Sequence, residues 1–245
     1  MGKSYKGTTM IFVCGDVHGE HDIDKLYNWE KQKELTRNDY LIILGDIGLL
    51  WKHYEDELEK KLKEFYNSLN PTVLFIDGNH ENFDRLFSNE FNIIDKFNGK
   101  VKQISDNIFY LQRGYVYTID DKKVFTFGGG YSIDKIHRIL NVSWWPQELP
   151  NYEEYSRGLK SLEDVGNDVD FILTHTCPSS IFIKLLRLYK MSHKISEEEY
   201  PFRKYLEEIK ETVKFKSWHF GHFHEDNEII ENFYVHYMNE PMRIA

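Results

Sequence analysis

Ile11-Phe12-Val13-Cys14-Gly15-Asp16-Val17-His18-Gly19 decides how the chain is read. A short apolar run stops at glycine, and a carboxylate, an imidazole and a second glycine follow. A buried strand that ends this way delivers Asp16 and His18 to one loop at its carboxyl end, where ligand sites gather in open α/β sheets. The glycines permit a sharp turn and leave room for something bound close by. One Asp-x-His is weak evidence. The same construction recurs downstream, however, with Asp46 after Tyr40 to Leu44, Asn79 and His80 after Thr72 to Ile76, His175 after Phe171 to Thr174, and His222 and His224 after Trp218 to Phe220.

Between these blocks the pattern predicts a helix over Asp22 to Glu34, with Ile23, Leu26, Tyr27 and Glu30 on one face, and a second over Tyr54 to Leu69 carrying Leu58, Leu62 and Phe65. Pro71 stops the second helix, and about two helical turns follow near Asn82 to Phe87. Strand–helix–strand–helix–strand implies a parallel sheet with right-handed crossovers. The middle changes character. Ile108 to Leu111, Tyr115 to Ile119 and Val124 to Phe127 sit at hairpin spacings and read as antiparallel strands. Gly128-Gly129-Gly130 reads as a tight bend with close backbone approach rather than a phosphate cradle. A helix over Tyr152 to Val165, one or two helices between Pro178 and Val213, and a last hairpin through Met238 complete the pass.

The chain has 245 residues, no linker-like stretch and no internal repeat, which reads as a single domain over residues 1–245. The formal charge of −9 argues against a general nucleic-acid binder, which would be basic. It leaves room for an enzyme acting on phosphate esters, nucleotides among them, because bound divalent cations offset clustered carboxylates. Two cysteines, Cys14 and Cys177, are too few for a disulfide framework and read as small buried residues in a reducing compartment. No apolar run reaches the ~20 residues of a membrane span. Met1 to Thr9 is polar and lacks a signal-peptide core, and Lys6 stands where myristoylation needs Ser or Thr. The expected location is the cytoplasm.

Carboxylates, imidazoles and one carboxamide, with no thiolate required, suit divalent manganese, iron, zinc or nickel. There are enough donors for two ions. A pair ~3.5–4 Å apart generates hydroxide and clamps a phosphoryl group. Gly15-Asp16-Val17-His18-Gly19, Gly45-Asp46, Gly78-Asn79-His80-Glu81, His175 and Gly221-His222-Phe223-His224 together resemble the calcineurin-like metallophosphoesterases, in the family's order and over nearly the whole chain. The compact length and the many Lys, Asn and Ile residues are similar to small bacterial or bacteriophage members. The resemblance implies a four-layer α/β/β/α sandwich of two mixed sheets. It implies one metal on Asp16, His18, Asp46 and His224, and another on Asp46, Asn79, His175 and His222, with Asp46 bridging and manganese the favoured ion. It also implies that Asn79 and His80 face the phosphate and that His80 protonates the leaving oxygen of a mono- or diester. Glu81 and Asp77 are the candidates to orient His80.

The sequence departs from the protein Ser/Thr phosphatases of the family. Their second block continues to a phosphate-binding arginine, whereas Gly45-Asp46-Ile47-Gly48-Leu49-Leu50-Trp51 has none. Arg85, Arg113 and Arg138 are the candidate replacements, and Arg138, after the glycine triplet, is preferred for substrate binding. Trp144 and Trp145 stack on a base or, the commoner case for a large aromatic pair, pack. His21, His53, His137, His193, His219 and His236 are read as surface or packing residues, with His53 and His137 the nearest to the rim. The alternative to a phosphoesterase is a binding or scaffold protein that keeps the fold without catalysis.

Overall fold

The computed structural model describes residues 8–190 and 196–245. His193 and the segment from Met1 to Gly7 lie outside the described residues. In chain order the elements are β1 (Ile11–Cys14), α1 (Asp24–Tyr27), β2 (Tyr40–Leu44), α2 (Glu57–Ser68), β3 (Thr72–Ile76), α3 (Phe83–Leu86), β4 (Asn92–Lys96), β5 (Gly99–Ser105), β6 (Ile108–Leu111), β7 (Tyr115–Ile119), β8 (Lys122–Phe127), α4 (Tyr152–Asp164), β9 (Phe171–Thr174), α5 (Ser179–Leu188), α6 (Tyr200–Thr212), β10 (Ser217–Phe220), β11 (Asn227–Ile230), β12 (Phe233–Val235) and β13 (Met242–Arg243).

They form two mixed sheets, ordered β13-β1-β2-β3-β6-β5-β4 and β11-β12-β10-β9-β8-β7. Period-two alternation sorts the strand side chains between layers. Ile11, Val13, Ile42, Leu44, Leu74 and Ile76 of the first sheet meet Tyr117, Val124, Phe171 and Leu173 of the second in one buried core. The intervening residues face outward. Phe12, Leu41, Ile43 and Phe75 pack under Leu26, Leu62 and Tyr66 of α1 and α2. Phe125, Phe127, Ile172 and Trp218 pack under Leu162, Ile181, Leu185 and Leu206 of α4, α5 and α6. The outcome is the expected α/β/β/α sandwich. Among the described residues no helix is long and apolar enough to cross a membrane.

Three local expectations need correction. The single helix over Asp22 to Glu34 is instead a short α1 followed by a 3-10 turn at Glu30–Glu34. The break lets Trp29 leave the helical register (φ −74°, ψ 82°) and pack edge-on against Phe12 at 5.1 Å. Burying the indole is worth ~2–3 kcal/mol, more than the few tenths per residue that favour continuing a helix. Tyr27, placed on the buried face by periodicity, is 58% exposed. Second, β6 does not form a hairpin with β7. It pairs parallel with β3 and antiparallel with β5, and the chain crosses to the other sheet at Gly114 (φ +75°). Third, the β4–β5 hairpin was not expected, although Asn98-Gly99 is a strong turn signal. Phe97 and Asn98 take φ of 57° and 60°, as the tight turn requires.

Both cysteines are buried, as expected, and burial pushes the Cys14 thiol up to about 12. His219 and His236 form a buried pair, Nδ1 of the first 2.9 Å from Nε2 of the second. Burial depresses both, His219 well below the ordinary 6.5 and His236 to about 4. Each ring is neutral when folded and takes up a proton on unfolding. From about pH 6.5 down to 4 the unfolded chain therefore binds more protons, and stability falls as pH falls through that window. Urea unfolding across this range will show a flatter dependence for a His219→Gln, His236→Gln double variant, by up to about 1.4 kcal/mol per pH unit per histidine. Parallel curves for the two proteins would contradict this assignment.

Candidate metal centre

The parallel runs β1-β2-β3 and β10-β9-β8 place the carboxyl ends of five predicted strands on one edge of the sandwich. There the two sheets touch. His175 Nδ1 lies 2.7 Å from the Leu44 carbonyl oxygen, and the His222 amide donates to Asp16 Oδ2 at 2.8 Å. Gly45 and Gly221 are required by this closeness. A Cβ on Gly45 would stand 2.2 Å from the His175 ring, and one on Gly221 would stand 2.4 Å from Asp16. The turns after the strands are strained in a consistent way. Asp16, His18, Asp46, His222 and His224 all have positive φ, between 29° and 69°. Left-handed backbone at non-glycine residues is costly and concentrates at functional sites.

Asp46 lies at the middle of the group and is 1% exposed. Its Oδ2 is 3.3 Å from His18 Nε2 and 3.4 Å from His175 Nε2, so one oxygen faces an imidazole on each side. Its Oδ1 accepts the backbone N–H of His80 at 2.7 Å. On one side, Asp16, His18 and His224 bring donor atoms within 4.8 Å of one another, and on the other Asp16, Asp46 and His175 do the same. His18, Asp46 and His80 form a third such group. Asn79 joins the second side. Its Nδ2 donates to Ser132 Oγ at 3.1 Å, which turns Oδ1 toward His175 Nε2 at 3.0 Å. The His222 ring stands 4.9 Å from that of His175, and the backbone N–H of His222 donates to Asp16. Every candidate ligand named from the sequence is thus brought to one edge.

The donor set fits a divalent cation. His175 donates from Nδ1 to Leu44 O, and His18 Nδ1 sits 2.6 Å from Asp22 Oδ2, so both rings turn Nε2 inward. A carbonyl or carboxylate behind the imidazole is the usual support of a metal-binding histidine. The charges agree. Burial pushes Asp16 up to about 6, with Asp46 adding repulsion and His175 opposing. Burial also opposes charge on His18 and His175, yet the Asp46 carboxylate overrides it and holds them at about 9 and about 10. Protons on the two imidazoles therefore supply the positive charge that two buried carboxylates demand, and bound metal releases such protons.

His80 is half-buried, and burial lowers its pKa. Arg138 Nη1 donates to His80 Nδ1 at 2.7 Å. Guanidinium only donates, and the Nη1–Nδ1 contact is much closer than Nη2 to Nε2 at 3.4 Å, so Nδ1 is the acceptor and the imidazole proton sits on Nε2. Arg138 also holds Asp134 at 2.7 Å and Ser143 O at 3.0 Å. Neither expected orienter touches His80. Asp77 is taken by Arg113 and Tyr110, and Glu81 Oε1 accepts the Ile47 amide. Arg85 and Arg113 are not rim residues either, being buried against Glu59 and Glu90, and against Asp77 and Glu154. Trp145 packs, with its indole N–H on Asp84 at 2.9 Å. A Cβ on Gly130 would stand 3.0 Å from the His175 ring and 3.3 Å from Asn79 and His222, so the triplet is a close backbone approach as expected. His53 and His137 are exposed.

The model of the calcineurin-like phosphoesterase family matches residues 9–226 of the chain. The chain belongs to the calcineurin-like phosphoesterases. A search of curated proteins gave no match. Family membership accounts for the Asp/His convergence, but four supporting residues in this member are not marked by its motifs. Asp22, four residues after His18, was readable as its partner. Ser132 and Tyr237 were not, because their roles depend on distant chain. Tyr237 stacks on His224 with ring centroids 4.4 Å apart. Lys25 is only 4% exposed, and its ammonium donates to Gly15 O and Asp16 O, each at 2.6 Å, and to Tyr237 O. It ties the Asp16 turn to the segment that backs His224.

Lys25→Met keeps the volume and leaves three carbonyls without their cation, at a cost of ~1–3 kcal/mol for each buried acceptor left unpaired. Calorimetric titration of the variant with manganese is expected to show affinity at least tenfold weaker, in the range typical for loss of a ligand's support. Unaltered affinity would show that the turn holds its shape without Lys25.

Proposed function

We propose that this phosphoesterase hydrolyses phosphate mono- or diesters at the strand-end centre as a two-metal enzyme. The observation that carries the reading is the placement of Asp46 Oδ2 between His18 and His175. One metal would be held by Asp16, His18, Asp46 and His224, and the other by Asp46, Asn79, His175 and His222. The mixed carboxylate, imidazole and carboxamide set favours manganese, with iron, zinc and nickel as the other candidates. When bound, the pair supplies an activated water and neutralises charge on the phosphoryl oxygens.

The protein's own residues do the rest. Asp46 fixes the His80 backbone, so the group that faces the substrate is indexed to the centre. Arg138 sets the His80 tautomer and leaves Nε2–H as a hydrogen-bond donor to the phosphoryl group and to the developing charge on the departing oxygen, which takes its proton from water. Arg138 retains N–H groups for the phosphate beyond those spent on Asp134, His80 and Ser143. Asn79, its amide oriented by Ser132, borders the same space. We read the chain as one domain acting in the cytoplasm, on the strength of its continuous sequence pattern and its two unpaired cysteines.

The test is elemental analysis paired with manganese-dependent hydrolysis of p-nitrophenyl phosphate and bis(p-nitrophenyl) phosphate. Wild type is expected to carry two metals per chain, to lose turnover on chelation and to regain it with manganese. Asp46→Asn is expected to lose at least a hundredfold in kcat/KM, in line with the loss of several kcal/mol of electrostatic stabilisation. A folded wild type that binds no metal and turns over neither ester would overturn the enzyme reading in favour of a scaffold.

A further inference from the structure

Beside His80 the surface opens into a cleft of about 510 Å³. Its lining includes Trp51, Leu58, Arg138, Gly19 and Gly48. The two glycines bring their loops into backbone contact, since a Cβ on Gly48 (φ +68°) would stand 2.0 Å from the Gly19 amide nitrogen. Leu58 was placed on the buried face of α2 by periodicity, yet it is 38% exposed and turned into this cleft.

Trp51 is the large aromatic of that lining. Leu49 and Leu50 before it are each 1% exposed, while Trp51 itself is 40% exposed. The backbone on either side is fastened. The Asn82 amide donates to Leu50 O at 3.0 Å, Asn82 Nδ2 to Lys52 O at 2.9 Å, and Arg85 Nη1 to Lys52 O at 3.2 Å. Asn82 and Arg85 are themselves buried. An indole is thus held out of the core by a rigid support, with its centroid 6.2 Å from the His80 ring. The exposed part of the ring lines the cleft beside His80, where a ligand stacked on it would cover aromatic surface that the fold leaves in water.

We infer that Trp51, backed by Leu58, is the stacking surface for a planar aromatic group carried on the leaving oxygen of the substrate. The inference rests on the proposed phosphoesterase reading, in which His80 meets that oxygen. The group departing past His80 crosses the indole, and a flat π-face gains there what a flexible polyol does not. Either an aryl ring on the ester oxygen or the base of a nucleoside supplies this chemistry.

The experiment compares wild type, Trp51→Ala and Trp51→Phe on phenyl, adenosine and glycerol phosphates, as monoesters or as methyl diesters according to which class turns over. Taking each variant relative to wild type on the same substrate cancels the intrinsic reactivity of the leaving groups. Trp51→Ala is expected to lose about tenfold more kcat/KM on an aromatic ester than on the glycerol ester. Trp51→Phe is expected to restore most of that difference. A loss confined to phenyl phosphate identifies an aryl leaving group, and one confined to the adenosine ester identifies a nucleoside. Equal effects on all three substrates would overturn the inference while leaving the phosphoesterase reading intact. If no ester turns over with any divalent cation, that reading fails instead. Calorimetric binding of adenosine monophosphate then decides the stacking surface, and equal affinity in wild type and Trp51→Ala would contradict it.

Discussion

One buried carboxylate organises this protein. Asp46 sits 1% exposed at the end of β2, with Oδ2 between His18 and His175 and Oδ1 on the His80 backbone. An isolated buried carboxylate is expensive. Here the cost is offset by imidazoles from both sheets, which hold Asp46 ionised well below the ordinary carboxylate range. Much of the surrounding construction serves that oxygen. Gly78 lacks a side chain because a Cβ there would stand 2.0 Å from Asp46 Oδ1. Gly45 lacks one because His175 must reach across the sheet interface. Left-handed backbone at Asp46 itself turns the carboxylate from the strand direction into the centre.

The rigidity of the site comes from elements that carry none of its chemistry. The inner core from Ile11 to Leu173 fixes the two sheets face to face, and that fixes the separation of the β1–β3 ends from the β9–β10 ends. Lys25 then holds the Asp16 turn, and Ser132 sets the Asn79 amide. A set of donors that must meet to within tenths of an ångström cannot rest on loops alone, and here each loop is pinned by a buried polar contact.

How much was legible in the sequence follows from the range of each signal. The strand ends were readable because an apolar run and a metal-type donor lie within a few residues of one another, with a glycine at the turn in every block but that of His175. The inner and outer faces of the strands followed from alternation. The edge hairpin β4–β5 was harder, since its burial alternates weakly at a solvent-facing sheet edge, and only Asn98-Gly99 marked it. Trp29 broke a helix for a tertiary contact with Phe12 that no local pattern contains. Arg85 and Arg113 looked like candidate anion binders because sequence gives charge without partners, and their partners Glu59 and Glu154 lie 26 and 41 residues away. The swap of β6 from its expected hairpin into the other sheet has the same cause, a parallel pairing with a strand more than thirty residues earlier.

The central claim is that two metals share Asp46. Electron paramagnetic resonance of the manganese-loaded protein tests it most directly, because two ions ~3.5–4 Å apart through a common carboxylate are magnetically coupled. The account predicts an exchange-coupled dimanganese spectrum in wild type that collapses in Asp46→Asn. A six-line spectrum of isolated manganese at full loading of the wild type would contradict it.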